Sequence, residues 1–314
     1  MKMNKTIKRI ALFALLFLLL NEGIKLYFFK VSVQGHTLVK QERRFNAYNG
    51  PLEVLFLGHS RVARAIDTSQ ISGSYVYFSG GESNVNSYYK LKFLLEEDAD
   101  RITTVVFPIG ITSVTLPDPY KFTNSFYWRT YVDYLELASL TGERATYWNI
   151  YLKSKVFPYY EHPSMRMMEH FGELRVEKSD SVFKSASVEK RLDLATQIIS
   201  HQDNFASVYD STANKYIQKT IDLAKKHGKQ LVYVKYPLTP EYLKAVEQYN
   251  PDWLIKQNEI DLFLSTNSDV LFFDFQGLFH QEPSYFKDNH HLNATGRAKF
   301  TKILKENLQK QLQD

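Results

Sequence analysis

The sequence predicts an α/β body built on a parallel sheet covered by helices on both faces. Three observations point there: short runs of unbroken apolar residues, helical spacing between those runs, and Gly or Pro at the run ends. Glu53–Gly58 (Glu-Val-Leu-Phe-Leu-Gly) reads as the first buried strand. Tyr75–Phe78 is the second, ending in Ser79-Gly80-Gly81-Glu82-Ser83, after which Asn84 can cap a helix through about Glu97. Thr103–Phe107 is the third strand, stopped by Pro108 and Gly110. Ala206–His227 has helical spacing and ends at Gly228, and Gln230–Lys235 is the fourth strand, closed by Pro237. A helical stretch runs from Pro240 to about Leu264 with Pro251 interrupting it. Asp269–Phe273 is the fifth strand and Ala294–Leu312 the last helix. In sheets of this order, ligands bind at the carboxyl ends of the strands.

Ahead of the body, Ile10–Leu20 is an unbroken apolar run with basic residues before it. Extended through Asn21, Glu22 and Gly23 to Phe29, it reaches about the 20 residues that a bilayer core requires. Residues 1–30 therefore read as an uncleaved signal anchor, with its N-terminus in the cytoplasm by the positions of Lys2, Lys5, Lys8 and Arg9. A cleaved signal peptide is the alternative, and either form sends the body across the cytoplasmic membrane. Residues 31–50 read as a polar connector and 51–314 as the body, interrupted at about 111–202 by a partly helical insertion rich in Tyr, Phe and Trp. Tyr120, Phe126, Tyr127, Trp128, Tyr147 and Trp148 in that insertion can stack on sugar rings or pack as its core.

The net charge of +5 does not point to an anionic partner. Of 39 basic and 34 acidic residues, six and one fall in the first 30, leaving 33 of each for the body. Without a basic cluster interleaved with aromatics, nucleic-acid binding is set aside. The chain has no cysteine, which removes disulfides, thiolate catalysis and Cys-based metal sites.

Two segments carry candidate chemistry. Gly58-His59-Ser60 follows the first strand directly, where a Ser at a tight strand-to-helix turn presents its hydroxyl at the sheet edge. The same residue can equally be an ordinary helix N-cap. Between the last strand and the last helix lies Asp288-Asn-His-His291-Leu-Asn293. An Asp three residues before a His can hold its Nδ1–H and leave Nε2 free to take a proton from a serine. Alternatively Asp288 and Asn289 are turn residues and His291 a packed or capping histidine. Asp288, His290, His291 and His280 lack recognised zinc spacing, so no metal is expected. Arg61 and Arg64 can bind an anionic substrate or form salt bridges, and the sequon Asn293-Ala-Thr295 is discounted because it falls inside the candidate loop.

These two segments, Val-Leu-Phe-Leu-Gly58-His59-Ser60-Arg61 and Asp288-x-x-His291-Leu-Asn, together resemble the SGNH/GDSL hydrolase superfamily in residue types and in chain order. They are most similar to its membrane-anchored branch, the DltD-like and alginate-acetylation-like proteins of bacterial envelopes. The resemblance implies a flavodoxin-like three-layer α/β/α fold over most of residues 50–314, outside the insertion. It implies Ser60 as nucleophile, His291 as general base and Asp288 as its orienting carboxylate, with no cofactor. Oxyanion donors carried over are the N–H of Ser60 and of Gly80 or Gly81. The family's Asn after the third strand has no counterpart in Phe107-Pro-Ile-Gly-Ile-Thr112, and His59 stands where an Asp is usual. The implied activity is that of an anchored serine esterase or O-acyltransferase on acyl groups of a cell-envelope glycan, with Arg61 available to an anionic substrate. The rival reading is a non-catalytic envelope protein that binds glycan or positions a membrane-bound acyltransferase.

Overall fold

The computed structural model describes residues 5–28, 30, 37–97, 99–114, 131, 132, 136, 183–200 and 212–313. The chain divides into two compact units, Met1–Asn46 with Pro119–Arg175, and Ala47–Asp118 with Val176–Asp314.

In the first unit, α1 (Lys5–Phe28) runs unbroken through Asn21, Glu22 and Gly23, and Glu22 pairs with Lys25 at 2.6 Å. Its stretch Lys5–Tyr27 has 23 residues and is long and apolar enough to cross a membrane. At 1.5 Å per residue it spans about 35 Å, against about 30 Å of bilayer core. Within residues 31–50, expected as a polar connector, lies α2 (Thr37–Asn46). Arg43 and Arg44 fall in its last turn, where cations meet the negative end of the helix dipole.

The second unit is a five-stranded parallel sheet. Its strands are β1 (Leu52–Gly58), β2 (Ser74–Phe78), β3 (Ile102–Pro108), β4 (Gln230–Lys235) and β5 (Val270–Asp274), in the order β2-β1-β3-β4-β5. This is the flavodoxin order, and every predicted strand is present within one residue at each end. Pro108, expected to end β3 from outside, is its last residue, and the next ladder bond is made by the Ile109 N–H to the Val234 carbonyl at 2.9 Å.

Helices cover both faces. On one face α3 (Ser60–Ala65) and the C-terminal α10 (Ala294–Gln313) bury Val62, Phe300, Leu304 and Leu308 with Phe56, Val106, Val232 and Val234 of the strands. The alternate residues Leu55, Leu57, Val105, Phe107, Leu231 and Tyr233 are also buried, on the opposite face. There α4 (Asn84–Glu97) packs against α7 (Thr212–Lys226). The expected helix from Pro240 is two, α8 (Pro240–Tyr249) and α9 (Pro251–Thr266), each with Pro in its first turn, where the missing N–H has no partner to lose.

Of the expected insertion, the described part holds α5 (Ile111–Val114), Tyr131, Val132, Glu136 and residues 183–200 with α6 (Val188–Ser200). The six aromatics singled out for sugar stacking lie outside the described residues, as does the start of the helix expected from Ala206.

Candidate active site

The turn after β1 depends on Gly58, whose φ is +123° and where a Cβ would sit 2.4 Å from Pro108 Cγ at the end of β3. Only glycine fits that approach. His59 then caps α3, its Nδ1 accepting the Arg61 backbone N–H at 3.3 Å. The cap is therefore His59 and not Ser60, which leaves the Ser60 hydroxyl uncommitted to its own helix. With Nδ1 accepting, His59 carries its proton on Nε2, 3.3 Å from Ser113 Oγ. Burial, then the charge of Arg61, then His291 and His290 hold His59 well below the usual histidine range, so it is a neutral structural ring.

Asp288 and His291 face each other across a two-stranded antiparallel pair, β6 (Phe286–Asp288) and β7 (His291–Leu292), which the sequence reading took as loop. Phe286 and Leu292 anchor this pair in the core beneath the sheet edge. His291 Nδ1 lies 2.9 and 3.1 Å from the two Asp288 carboxylate oxygens, and its Nε2 lies 2.8 Å from Ser60 Oγ, 231 residues away in sequence. Asp288 Oδ1 also accepts the backbone N–H groups of His290 and His291 at 3.0 and 2.9 Å. Burial pushes the Asp288 carboxyl up, but the hydrogen bond from His291, the neighbouring imidazoles and the His290 N–H outweigh it and hold the group well below the usual carboxylate range. An ionised Asp288 can only accept, so His291 carries its proton on Nδ1 and turns the Nε2 lone pair to Ser60. The side chains of Asp288 and His291 remain 30% and 17% exposed, so the triad opens to solvent.

The rest of this segment is tied down. Buried Asn289 donates to the Arg191 carbonyl at 3.0 Å and accepts from Thr239 Oγ1 at 2.9 Å. Asn293 donates to the Ser284 carbonyl at 2.6 Å and accepts the Gly296 N–H at 3.0 Å, so the sequon asparagine is occupied in closing the loop. His290 stacks on His291 with ring centres 4.1 Å apart and on Tyr242 at 5.4 Å. Burial, followed by the effect of His291, brings its pKa down to about 3. Donor atoms of Asp288, His290 and His291 lie within 4.8 Å of one another and could hold a metal ion, while His280 is not among them. Three donors are fewer than a closed structural site uses, and a metal held through His291 Nε2 would take the lone pair that faces Ser60.

The turn after β2 lies beside the nucleophile, because Gly58 pairs with Phe78 and the Ser79 N–H bonds to the Gly58 carbonyl at 2.9 Å. The turn bond runs from the Glu82 N–H to the Ser79 carbonyl, with Gly81 at φ +70°, so it does not use the N–H groups of Gly80 and Gly81. Beneath it is an ion pair absent from the sequence reading: Lys90 Nζ contacts Glu82 Oε2 at 2.6 Å, and both side chains are fully buried. Ser87 donates to Glu82 at 2.6 Å, and Lys90 also reaches Ser79 Oγ at 3.2 Å. Burial pushes the Glu82 carboxyl up against the pull of Lys90.

At the start of α4, buried Asn84 has neither its Nδ2 nor its Oδ1 hydrogen-bonded. The sequence expects Asn84 to cap α4, but the cap is Ser83, whose Oγ accepts the Asn86 N–H at 3.5 Å while Asn86 Oδ1 accepts the Ser83 N–H at 3.1 Å, and the Asn84 amide is left over as the first helical residue.

Arg61, read in the sequence as able to bind an anionic substrate or to form salt bridges, is buried. Its Nη2 donates to Tyr242 Oη at 2.8 Å, and no carboxylate of the described residues lies within 4.0 Å of it. The salt-bridge alternative therefore does not apply to it, and Arg64 is exposed.

A protein-family model of uncharacterised function matches residues 189–313, which include Asp288, His290 and His291 but not Ser60. No curated protein matches the chain.

Proposed function

We propose that this protein is a membrane-anchored serine esterase or O-acyltransferase of SGNH/GDSL type, acting outside the cytoplasmic membrane on acyl groups of a cell-envelope glycan. The observation that carries the reading is the 2.8 Å contact between Ser60 Oγ and His291 Nε2, backed by Asp288. A chain of three groups, with Ser60 231 residues from His291 and Asp288 three residues from it, open to solvent and each in the protonation state that the next requires, is what proton transfer from a serine needs.

In the proposed cycle, Ser60 Oγ attacks the ester carbonyl while its proton passes to His291 Nε2. Asp288 steadies the imidazolium. The tetrahedral oxyanion faces the N–H of Ser60 and of Gly80 or Gly81. Collapse breaks the bond to the leaving alcohol, which takes the proton from His291 and leaves an acyl ester on Ser60. Water or a sugar hydroxyl then attacks that ester, gives its proton to His291, and departs with the acyl group as Ser60 recovers its hydrogen.

The basic residues before the apolar run Ile10–Leu20 favour a cytoplasmic N-terminus and an exported body. The alternative is a non-catalytic protein that binds glycan or positions a membrane-bound O-acyltransferase. What favours it is the segment after β3, where Ser113 is engaged with His59 and no amide side chain follows. Turnover of p-nitrophenyl acetate, with and without a sugar acceptor, separates the readings. A burst of one equivalent that disappears in Ser60→Ala, followed by acceptor-dependent turnover, supports the transferase; no burst from folded protein supports the binding role.

A further inference from the structure

Behind Ser60, a small cavity of about 20 Å³ lies under the carboxyl ends of β3 and β4. Arg61, Tyr236, Gln276 and Gln257 supply much of its polar lining, and Trp253 and Val246 are among the apolar residues that close it. None of its lining residues is acidic. The buried Arg61 guanidinium has Tyr242 Oη as a neutral partner and no carboxylate of the described residues within ion-pair range. A buried charge without a counter-charge is unfavourable, and among the described residues it is met here only by the Tyr242 hydroxyl and ring, the ring centre 5.1 Å from the guanidinium carbon. Tyr236 Oη, in the same lining, is buried and makes no hydrogen bond. Burial pushes the Tyr236 phenol up, so it stays a donor. Gln276 accepts from Gln257 at 3.3 Å through its oxygen, which leaves its NH₂ group as a further donor.

We propose that this cavity is a binding site for one small inorganic anion, a halide such as chloride, held by the Arg61 guanidinium with Tyr236 as a second donor. Charge defines the class of ligand: the lining offers a fixed cation and neutral donors, with no carboxylate to repel an anion. Size agrees with a small occupant, because about 20 Å³ admits a water-sized group such as a monatomic ion. The site touches the reacting segment, since Arg61 follows Ser60 and its N–H caps onto His59. The inference is independent of the proposed reaction, and its readout is binding.

The test uses the full chain in detergent. Thermal midpoints are measured in sodium chloride, sodium bromide and sodium gluconate at matched ionic strength, and crystals grown in bromide are examined for anomalous scattering. The proposal expects an anomalous peak within hydrogen-bonding range of the Arg61 guanidinium. It also expects a midpoint about 2 to 4 °C higher in tenfold-saturating halide than in gluconate. Arg61→Gln should abolish the halide response. Should Arg61→Gln fail to fold, Tyr236→Phe keeps the cation and should weaken halide binding several-fold. Equal midpoints in chloride and gluconate, with no bromide peak in the wild-type cavity, would overturn the proposal and leave the cavity to water. Labelling of Ser60 by a serine-directed probe is a separate measurement, so loss of this proposal and loss of the esterase reading cannot be confused.

Discussion

The triad segment and the Arg61 cavity meet at Tyr242, which touches His290 and bonds to Arg61, yet their polar groups are managed in opposite ways. Across Asp288–Asn293 most polar groups close on one another: Asp288 accepts from His291 and two backbone N–H groups, and Asn289 and Asn293 reach back to main-chain carbonyls, while the buried His290 Nδ1 has no hydrogen bond. Around the cavity, and at Asn84 above α4, donors are buried and left open. A closed network stiffens a geometry that the chain needs for itself. Open buried donors are unfavourable to the fold, by about 1–3 kcal/mol each, and persist where something other than the chain completes them. The difference separates parts that hold the site from parts that meet a ligand.

Several substitutions break or sharpen this contrast. The largest effect is expected at the nucleophile and base: Ser60→Ala and His291→Ala should each lower turnover by about 10⁴-fold or more, with little change in unfolding midpoint for Ser60→Ala. Next comes the closed pair under the Gly80-Gly81 turn. Lys90→Met should destabilise the fold by about 3–5 kcal/mol in a denaturant titration, because Glu82 is left buried and unpaired. Adding Glu82→Gln should return part of that loss, and a null effect would show that the turn does not rest on the pair.

Asn84 tests the open class. Asn84→Ala should leave stability unchanged or slightly raised in a urea titration, since no hydrogen bond is lost. A stability loss would place Asn84 among the closed groups instead.

The smallest effect concerns pH. His290 has a folded pKa of about 3, below the unfolded value near 6.5, so the unfolded chain binds the extra proton between these values. Stability is fully present above about 6.5 and falls by about 1.4 kcal/mol per pH unit per such group as pH drops toward the folded value. His290→Asn should flatten that acid limb in urea titrations between pH 6 and 4. For Asp288 the sign is likewise acid-sensitive but lies lower: its depressed folded pKa gives stability above about pH 4 that is lost on further acidification.

Much of this was legible in the sequence because it is local. Apolar runs gave the five strands, and Asp288 and His291 sit three residues apart in one segment. The pairing of His291 with Ser60 was anticipated from the chain order of the two segments and the resemblance they carry. The rest depends on which residues the sheet brings together. His59 caps α3 in place of Ser60, Tyr242 reaches Arg61 across 181 positions, and Glu82 meets Lys90 within a dry turn, and none of these has a composition signal. The polar stretch before β1 hid α2, since its residues favour solvent and the helix equally.

The central claim is that Ser60 is an activated nucleophile. Intact-mass analysis of the purified chain after exposure to a fluorophosphonate serine probe tests it most directly, with Ser60→Ala and His291→Ala alongside. The account predicts one probe adduct in wild type, on Ser60, and none in either variant. Folded wild-type protein that takes up no probe, or an adduct that survives in Ser60→Ala, would contradict it.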